Sequence, residues 1–475
     1  MPYNILGIST GHNSSACLLS DGEVKHFMEE ERLSREKYSA NPFKAVIDIV
    51  SKNKIDAVAV ASTAPHYAEM EWDGNNVWEV LINKYQKKSP QFYYFNLHHH
   101  LTHASTALYN SGFKKAIALI IDGAGSSVNI NDKKIKEHAN VNFILKNSPL
   151  FVYETESVFE LNENNIKPLY NFYTANDIVR NTKEEKFEIS SAVNIAQVYS
   201  AVNLYLGFLP LEEGKTMGLS SYGKLNKSIP KLYLNKRGDK NIFDNELPTR
   251  ANINVISYKE FWENRKITGG FNKFHKDLAF TVQQESQEVV GDLVQSTINN
   301  TGITNICCSG GYFLNCVANY YLTKRFPNVN FYFEPISSDA GTSIGAARLL
   351  HLKHSPSTLF PKQKVIYYGQ QYSTNKLKDS IDNKKNMFKQ LKTTPQEIAK
   401  LISERNIVCI FQGRSEAGPR ALGNRSILYD PTDPNGKDFV NTVKKREWFR
   451  PFAGTVLLEK AKDYFDMAGL DESPF

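Results

Sequence analysis

Apolar residues come along this chain in short runs, broken by glycines and polar turns. Residues 4–31 predict a β-hairpin region: NILGIST, a GHNSS turn, ACLLS, the DGE turn, then VKHFMEE. A helix is expected at 43–52. IDAVAVAS (55–62) has the small and β-branched content of a buried strand, and FYYFNL (92–97) reads as another. ASTALYNSG (104–112) predicts a helix stopped by Gly112, and AIALIIDGAGSS (116–127) a strand running into a glycine turn. The polar stretch 128–190 reads as hairpins and loops. A helix follows at 192–206, then a glycine-rich loop, GKTMGLSSYG (214–223), and an irregular, aromatic stretch over 225–275. From 278 the pattern alternates again: helix 278–299, strand 305–310, helix 313–325, strand 329–334 and helix 341–352. Prolines and polar residues over 353–377 suggest a linker, with a boundary near 375. Beyond it the helix PQEIAKLISE and the strand NIVCIFQG open a new unit. The alternation is that of an α/β protein, and no internal repeat is visible.

Composition narrows this little. The length of 475 residues suggests two or three domains, and 41% hydrophobic with 23% charged residues suits a soluble enzyme with a sizeable core. No run of apolar residues is long enough for a transmembrane helix, and the N-terminus lacks a basic start and a signal core, so neither membrane insertion nor secretion is expected. The five cysteines are odd in number and contain no C-x-x-C pair. That argues for reduced thiols, a cytoplasmic location and no zinc ribbon. The net charge of +7 is modest, and no long basic run is interleaved with aromatics, so nucleic acid is not an expected partner.

Three constellations carry chemistry. Four of the 11 histidines fall in HHHLTHAS, residues 98–105. If the chain is already helical there, His99 and His103, four apart, share one face, as a metal requires. No Glu lies between them, so a metalloprotease base is missing, and a solvated helix start remains the plain alternative. Asp122, ending the strand in IIDGAG, and Asp339, in SSDAGTSIG, strengthen the metal reading, because carboxylates at strand ends face the ligand crevice of α/β folds. Two His with two Asp suit iron, manganese or zinc. Second, four glycine turns follow strands, at 7–15, 122–127, 309–315 and 339–345. Each alone is an ordinary turn; together they suggest a nucleotide cleft, although neither the Walker A loop nor the Rossmann fingerprint is present. Third, Arg414, Arg420, Arg425, Lys444, Lys445, Arg446 and Arg450 cluster among glycines and aromatics, either as a solvated face or as a pocket for phosphate and carboxylate groups.

In order along the chain, GHNSSACLL, EEERLSREK, HHHLTH, LIIDGAG, EEGKTMGLSSYG, SGGYFLNC, SSDAGTSIGAA, FQGRSEAGPRALGNRSIL and KKREWFRPFAG resemble the NodU/CmcH family of O-carbamoyltransferases. The resemblance implies an actin-like (ASKHA) duplicated α/β domain over 1–352, a linker over 353–377 and a YrdC-like α/β domain over 378–475. It implies that carbamoyl phosphate and ATP, with Mg, give carbamoyl-adenylate, whose carbamoyl group passes to a hydroxyl of a small molecule, glycan or nucleoside. By the same resemblance His99, His103, Asp122 and Asp339 look like ligands of a divalent metal, Fe(II) in the family. His12 and Lys37 match active-site positions, with His12 either a general base or a charge stabiliser, and Glu213 matches an acceptor-orienting acid. Gly123, Gly125, Gly310, Gly311 and Asn315 look like nucleotide-loop positions. Arg414, Arg420, Arg425, Lys444 and Arg450 look like the cradle for carbamoyl phosphate and triphosphate. Ser220 and Ser221 stand where the family usually has Ala-Pro, and Gly454 where it has Pro. The family's second domain continues past the point where this chain stops, so about half of it is expected to be absent. Two other readings stay open: an enzyme like the tRNA threonylcarbamoyladenosine transferases, against which the fused arginine-rich segment and the long 128–190 insertion speak, and a non-catalytic nucleotide-binding remnant. A homodimer is also left open.

Overall fold

The N-terminal apolar runs form β1 (Asn4–Ser9), β2 (Ser15–Ser20) and β3 (Glu23–Glu29) in the computed structural model. It describes residues 2–64, 69–129, 131, 151–174, 178–181, 186–189, 194–229, 231–233, 256–257 and 270–473. With β4 (Ala57–Ala61) and β5 (Gln91–Phe95) these strands make a sheet ordered β3–β2–β1–β4–β5. β1 is antiparallel to β2 and parallel to β4, which is parallel to β5. The β4 sequence AVAVA is buried throughout, the composition a strand needs when both faces of the sheet are covered.

A second sheet repeats the plan. β6 (Lys115–Ile121), β7 (Phe151–Asn162), β8 (Asn165–Thr174), β9 (Asn305–Ser309) and β10 (Asn330–Phe333) run in the order β8–β7–β6–β9–β10. Again the first strand is antiparallel to the second and parallel to the fourth, and the fourth is parallel to the fifth. The duplicated α/β plan is thus present in the topology although no repeat is visible in the sequence. The polar 128–190 stretch contributes β7 and β8 as a hairpin, as expected. Much of the rest of it, and most of 225–275, lies outside the described residues.

The helices are α1 (Phe43–Val50), α2 (His99–Ser111), α3 (Ile195–Tyr205), α4 (Glu213–Ser220), α5 (Lys273–Thr301), α6 (Cys316–Arg325) and α7 (Thr342–His354). Two of them are exchanged between the sheets. α2 follows β5 of the first sheet, yet it packs Ala104, Ala107 and Leu108 on Ala116, Ala118 and Ile120 of β6. α7 follows β10 of the second sheet, yet it packs Ala346, Ala347 and Leu350 on Ile5, Leu19, Ala57 and Ala59 of the first. The two helices meet closely. A Cβ on Gly345 would lie 1.9 Å from the Thr102 carbonyl oxygen and 2.6 Å from Thr106 Oγ1. Ser105 Oγ donates to Gly345 O at 3.0 Å, and Thr106 Oγ1 to Gly341 O at 2.8 Å.

Several elements differ from the sequence expectation, among them α5, which begins at Lys273 rather than 278, and a helix over Val77–Asn83 that was not expected. α2 begins at His99, five residues before the predicted start at 104, because the histidines themselves are buried and packed. The glycine-rich 214–223 segment is not a loop but is mostly α4. Its Thr216, Met217, Leu219 and Ser220 are buried and the helix packs on α5. That burial outweighs a cost of about 1 kcal/mol for each glycine in a helix. Finally, the 313–325 helix is broken: a 3₁₀ turn ends at Leu314, and Asn315 caps α6 by accepting from Ala318 N at 3.1 Å.

The contacts divide the chain into two units, Met1–Lys25 with Glu29–Gln363, and Lys364–Phe475 with His26–Met28. In the second unit β11 (Val408–Phe411) pairs antiparallel with β12 (Arg425–Leu428). Around them lie α8 (Thr374–Asp382), which begins inside the expected linker, α9 (Pro395–Ser403) and α10 (Gly436–Val443). α9 opens on a capping box of Thr394 with Glu397 and carries Pro395 in its first turn. Among the described residues no helix is long and apolar enough to cross a membrane.

Two tests follow. Gly345→Ala forces backbone atoms of α2 and α7 apart and should destabilise the protein by about 1–3 kcal/mol, read by urea denaturation; an unchanged midpoint would contradict the close approach. Cys17, Cys307 and Cys308 are buried, Cys316 and Cys409 exposed, and burial pushes the Cys17 and Cys307 thiols up to about 12. A thiol reagent should therefore titrate Cys316 and Cys409 in the native protein and all five cysteines only after unfolding.

Candidate metal centre

The site forms where three chain segments meet. His99 and His103 lie one turn apart in the first turns of α2, so their rings share a face. Asp122 directly follows β6, and Asp339 opens the short 3₁₀ turn ahead of α7. All four are buried, and one ligand atom of each lies within 4.8 Å of those of the others. The two Nε2 atoms are 3.2 Å apart. His99 Nε2 is 3.4 Å from Asp122 Oδ2 and 3.5 Å from Asp339 Oδ1; for His103 Nε2 the distances are 3.7 and 3.6 Å. Neighbouring ligands held at about 2.0–2.2 Å from one ion sit roughly 3.0–3.6 Å apart, so this donor set fits a single divalent cation.

The surroundings hold these groups in place. Asp122 Oδ1, the oxygen turned from the histidines, accepts from Gly123 N at 2.9 Å and Gly311 N at 3.1 Å. His103 Nδ1 lies 3.3 Å from Ser309 Oγ, and the His99 backbone N–H donates to Ser126 Oγ at 3.0 Å. Burial opposes charge on every member, and mutual attraction reverses it. Burial lowers the His99 pKa, but the Asp339 and Asp122 carboxylates raise it to about 10. Burial raises Asp122, yet hydrogen bonds from His103 and His99 hold it well below the ordinary range. Asp339 is held down likewise, by the charges of His12 and His99 against burial. An ion held by these four residues would take the imidazoles in their neutral form.

His12, at the β1–β2 turn, is half exposed, with Nε2 3.9 Å from Asp339 Oδ2, the oxygen facing away from the histidine pair. The turn is framed by the following loop: Ser14 N donates to Ser39 O and Asn41 N to Thr10 O, both at 3.1 Å. Lys37 is exposed on that loop, its Nζ 5.0 Å from the Tyr38 ring centre. Tyr38 OH donates to Leu211 O at 2.8 Å, two residues before Glu213. Burial raises the Glu213 carboxyl, which accepts from Ser200 Oγ at 2.8 Å and feels the charge of His12.

The glycine positions separate into two kinds. Gly310 and Gly125 serve close packing: a Cβ on Gly310 (φ +96°) would lie 2.3 Å from Ile121 O, and one on Gly125 2.6 Å from His100 Nε2. Gly123 faces open space, and Gly311 borders Asp122. The Asn315 side chain is committed to its cap and to Gln283, to whose Oε1 it donates at 2.8 Å. In the second unit Arg414 donates to Gly369 O and Tyr368 O at 2.9 and 2.6 Å. Arg425 donates to Gln412 O at 2.6 Å and stacks 3.7 Å over Phe411. These guanidiniums brace the loop that carries them. Arg450 lies 3.7 Å from Glu447, and Lys444, whose pKa burial lowers, feels Arg446 and Arg450. Arg420 is exposed in the same loop. Sequence reasoning missed Glu416, whose Oε1 accepts backbone N–H bonds from Leu422, Asn424 and Arg425 at 2.8, 2.8 and 3.1 Å and shapes this loop. It also missed His100, which turns away from the ligand face. The helical phase of 100° per residue was the signal for that.

Comparison with known proteins bears on this geometry. The profile described as carbamoyltransferase N-terminus matches residues 66–348, spanning His99, His103, Asp122, Glu213 and Asp339, and that described as carbamoyltransferase C-terminus matches 399–475. The uncharacterized protein MJ1058 of Methanocaldococcus jannaschii is 29% identical over 83% of this chain and 60% of its own length. MJ1051 of the same organism is 27% identical over 97% of this chain and 79% of its own. Nodulation protein NolNO of Sinorhizobium fredii is 26% identical over 98% and 65%. This chain therefore spans about three-fifths of MJ1058 and two-thirds of NolNO. The first profile alone covers more than half of the residues and the second follows it in order, so this protein belongs to the carbamoyltransferase family.

Proposed function

We propose that this protein is an O-carbamoyltransferase whose transfer site is the cluster of His99, His103, Asp122 and Asp339, loaded with a divalent metal, Fe(II) by the family resemblance. The observation that supports this best is the convergence of four buried donors on one point with a half-exposed base, His12, beside them. The metal would polarise the carbamoyl carbonyl as a Lewis acid. The chain's own groups do the rest. Asp339 presents Oδ1 to the histidines and Oδ2 to His12, so His12 is oriented by a ligand's outer oxygen and stands where it can take the proton of an acceptor hydroxyl. Glu213, with a raised pKa and a fixed Ser200 bond, is placed to hold the acceptor. Lys37 supplies positive charge at the rim.

In this reading the second unit, with its basic 413–450 segment, takes carbamoyl phosphate, water and ATP and forms carbamoyl-adenylate with release of inorganic phosphate and pyrophosphate, and AMP leaves when the carbamoyl group passes to the acceptor hydroxyl. The acceptor is a hydroxylated small molecule, glycan or nucleoside. A cytoplasmic setting, Mg with ATP and no nucleic-acid partner belong to the same reading.

Metal analysis should find about one equivalent of divalent ion in wild-type protein and its loss in His103→Ala; wild-type protein that takes up no divalent ion would remove the basis of the reading. Because His99 holds its proton up to about 10 in the ion-free protein, the ion competes with that proton at neutral pH. Affinity should rise with pH between 6.5 and 8.5, by roughly tenfold per unit for one displaced proton, measured by Co(II) titration; a flat profile would mean that no proton leaves. His12→Ala should keep the ion and lose carbamoyl transfer while carbamoyl-phosphate-dependent pyrophosphate release from ATP is unaffected.

A further inference from the structure

His100 stands in the middle of the histidine run and takes no part in the ligand cluster. Its Nδ1 lies 2.7 Å from Ser157 Oγ on β7. Ser157 Oγ donates onward to Glu154 Oε1 at 2.9 Å, and the same oxygen accepts from Asn171 Nδ2 at 2.8 Å. With Glu154 ionised, His100 Nδ1–H donates to Ser157 and Ser157 to the carboxylate. His100, Glu154 and Ser157 are all buried, Ser157 completely. These bonds are one side of a closed ring. Glu154 N donates to Ser126 O at 3.0 Å, and Gly125 N to Glu154 O at 2.6 Å. Asp122 N donates to Thr155 O at 3.0 Å. Ser126 Oγ then accepts from His99 N at 3.0 Å, returning to α2. The ring therefore runs from the ligand helix to β7, from β7 to the loop carrying Asp122, and from that loop back to the ligand helix. Each of its other joints is a backbone group or lies beside one. Ser157 is the hydrogen-bonded bridge from an α2 side chain to a β7 side chain, set between His100 and Glu154, whose own Nδ1–Oε1 distance is 3.8 Å.

We propose that Ser157 is a positioning residue of the metal centre: by bridging His100 to Glu154 it sets the spacing between the histidine ligands on α2 and Asp122. This rests on the metal reading above and goes beyond it, because the bridge touches no ligand atom. The mechanism is geometric. His100 adjoins His99 on the same helix turn, so a shift of His100 rotates α2 and moves both ligand tips relative to Asp122, which the β7 backbone holds.

The test is Co(II) binding to the full chain, by titration and by the visible ligand-field spectrum, alongside thermal unfolding of the metal-free protein. Ser157→Ala breaks both bonds. Glu154→Gln keeps the shape and weakens the far end, and serves should the first variant fail to fold. The expected result is a loss of Co(II) affinity of about 10–100-fold in Ser157→Ala, the range of outer ligand-support groups, with an altered spectrum and a smaller effect in Glu154→Gln. A residue with only a structural role would lower the metal-free melting temperature and leave affinity and spectrum at their wild-type values; that outcome overturns the proposal. If wild-type protein binds no Co(II), the metal reading itself fails and this inference falls with it, whereas wild-type binding with unaltered variants sinks the inference alone.

Discussion

The contact between α2 and α7 is the constraint on which this molecule depends. Each helix follows one sheet and packs on the other, so neither half can bury its own sheet without the partner's helix. The exchange is possible only because backbone meets backbone at Gly345 and Thr102, with hydroxyls of Ser105 and Thr106 satisfying carbonyls on the facing helix. Gly7, whose Cβ would sit 2.0 Å from Ser343 O, allows the same approach between β1 and α7. Because α2 carries His99 and His103 at its start and α7 follows Asp339, closing this contact brings three of the four clustered donors together. Folding of the core and assembly of the site are one event.

Burying two carboxylates with two imidazoles costs free energy unless each is compensated. The compensation is layered. Within the cluster, charge attraction raises His99 and holds down Asp122 and Asp339. Around it, the backbone N–H groups of Gly123 and Gly311 take the outer oxygen of Asp122 and Ser309 faces His103. A group of like composition built only for stability would be better replaced by apolar residues. Here the group lies within an alanine-rich interface with each charged member compensated by its neighbours.

Much of this was legible in residue order because the relevant signals are local. Strand runs such as AVAVA and IALII, the Gly112 stop and the four-residue spacing of His99 and His103 are short-range patterns. The convergence of Asp122 and Asp339 on that pair was suggested by their places at strand ends and by the family resemblance, and the exchanged helices that cause it have no local signature. The 214–223 segment misled because its glycines imply a loop, while burial of Met217 and Leu219 against α5 decides for a helix. Gly125 and Gly310, expected as nucleotide-loop positions, pack where an added Cβ would meet His100 and Ile121. Sequence alone does not distinguish a glycine that admits a ligand from one that admits another part of the chain.

The duplicated topology also explains why the centre is one-sided. β1 and β6 are equivalent strands, and each ends at the cleft in a glycine turn. After β1 the turn carries His12, half exposed; after β6 it carries Asp122, buried and held by backbone amides. Likewise the helices α2 and α7 are equivalent, and one begins with the two imidazoles while the other begins beside a carboxylate. Equivalent positions thus carry a buried carboxylate on one side and a half-exposed imidazole on the other. The carboxylate of Asp339 lies between them, one oxygen toward each. Asp339 therefore joins the buried cluster to the half-exposed imidazole of His12, and it does so because two copies of one α/β plan carry different residues at the same turns.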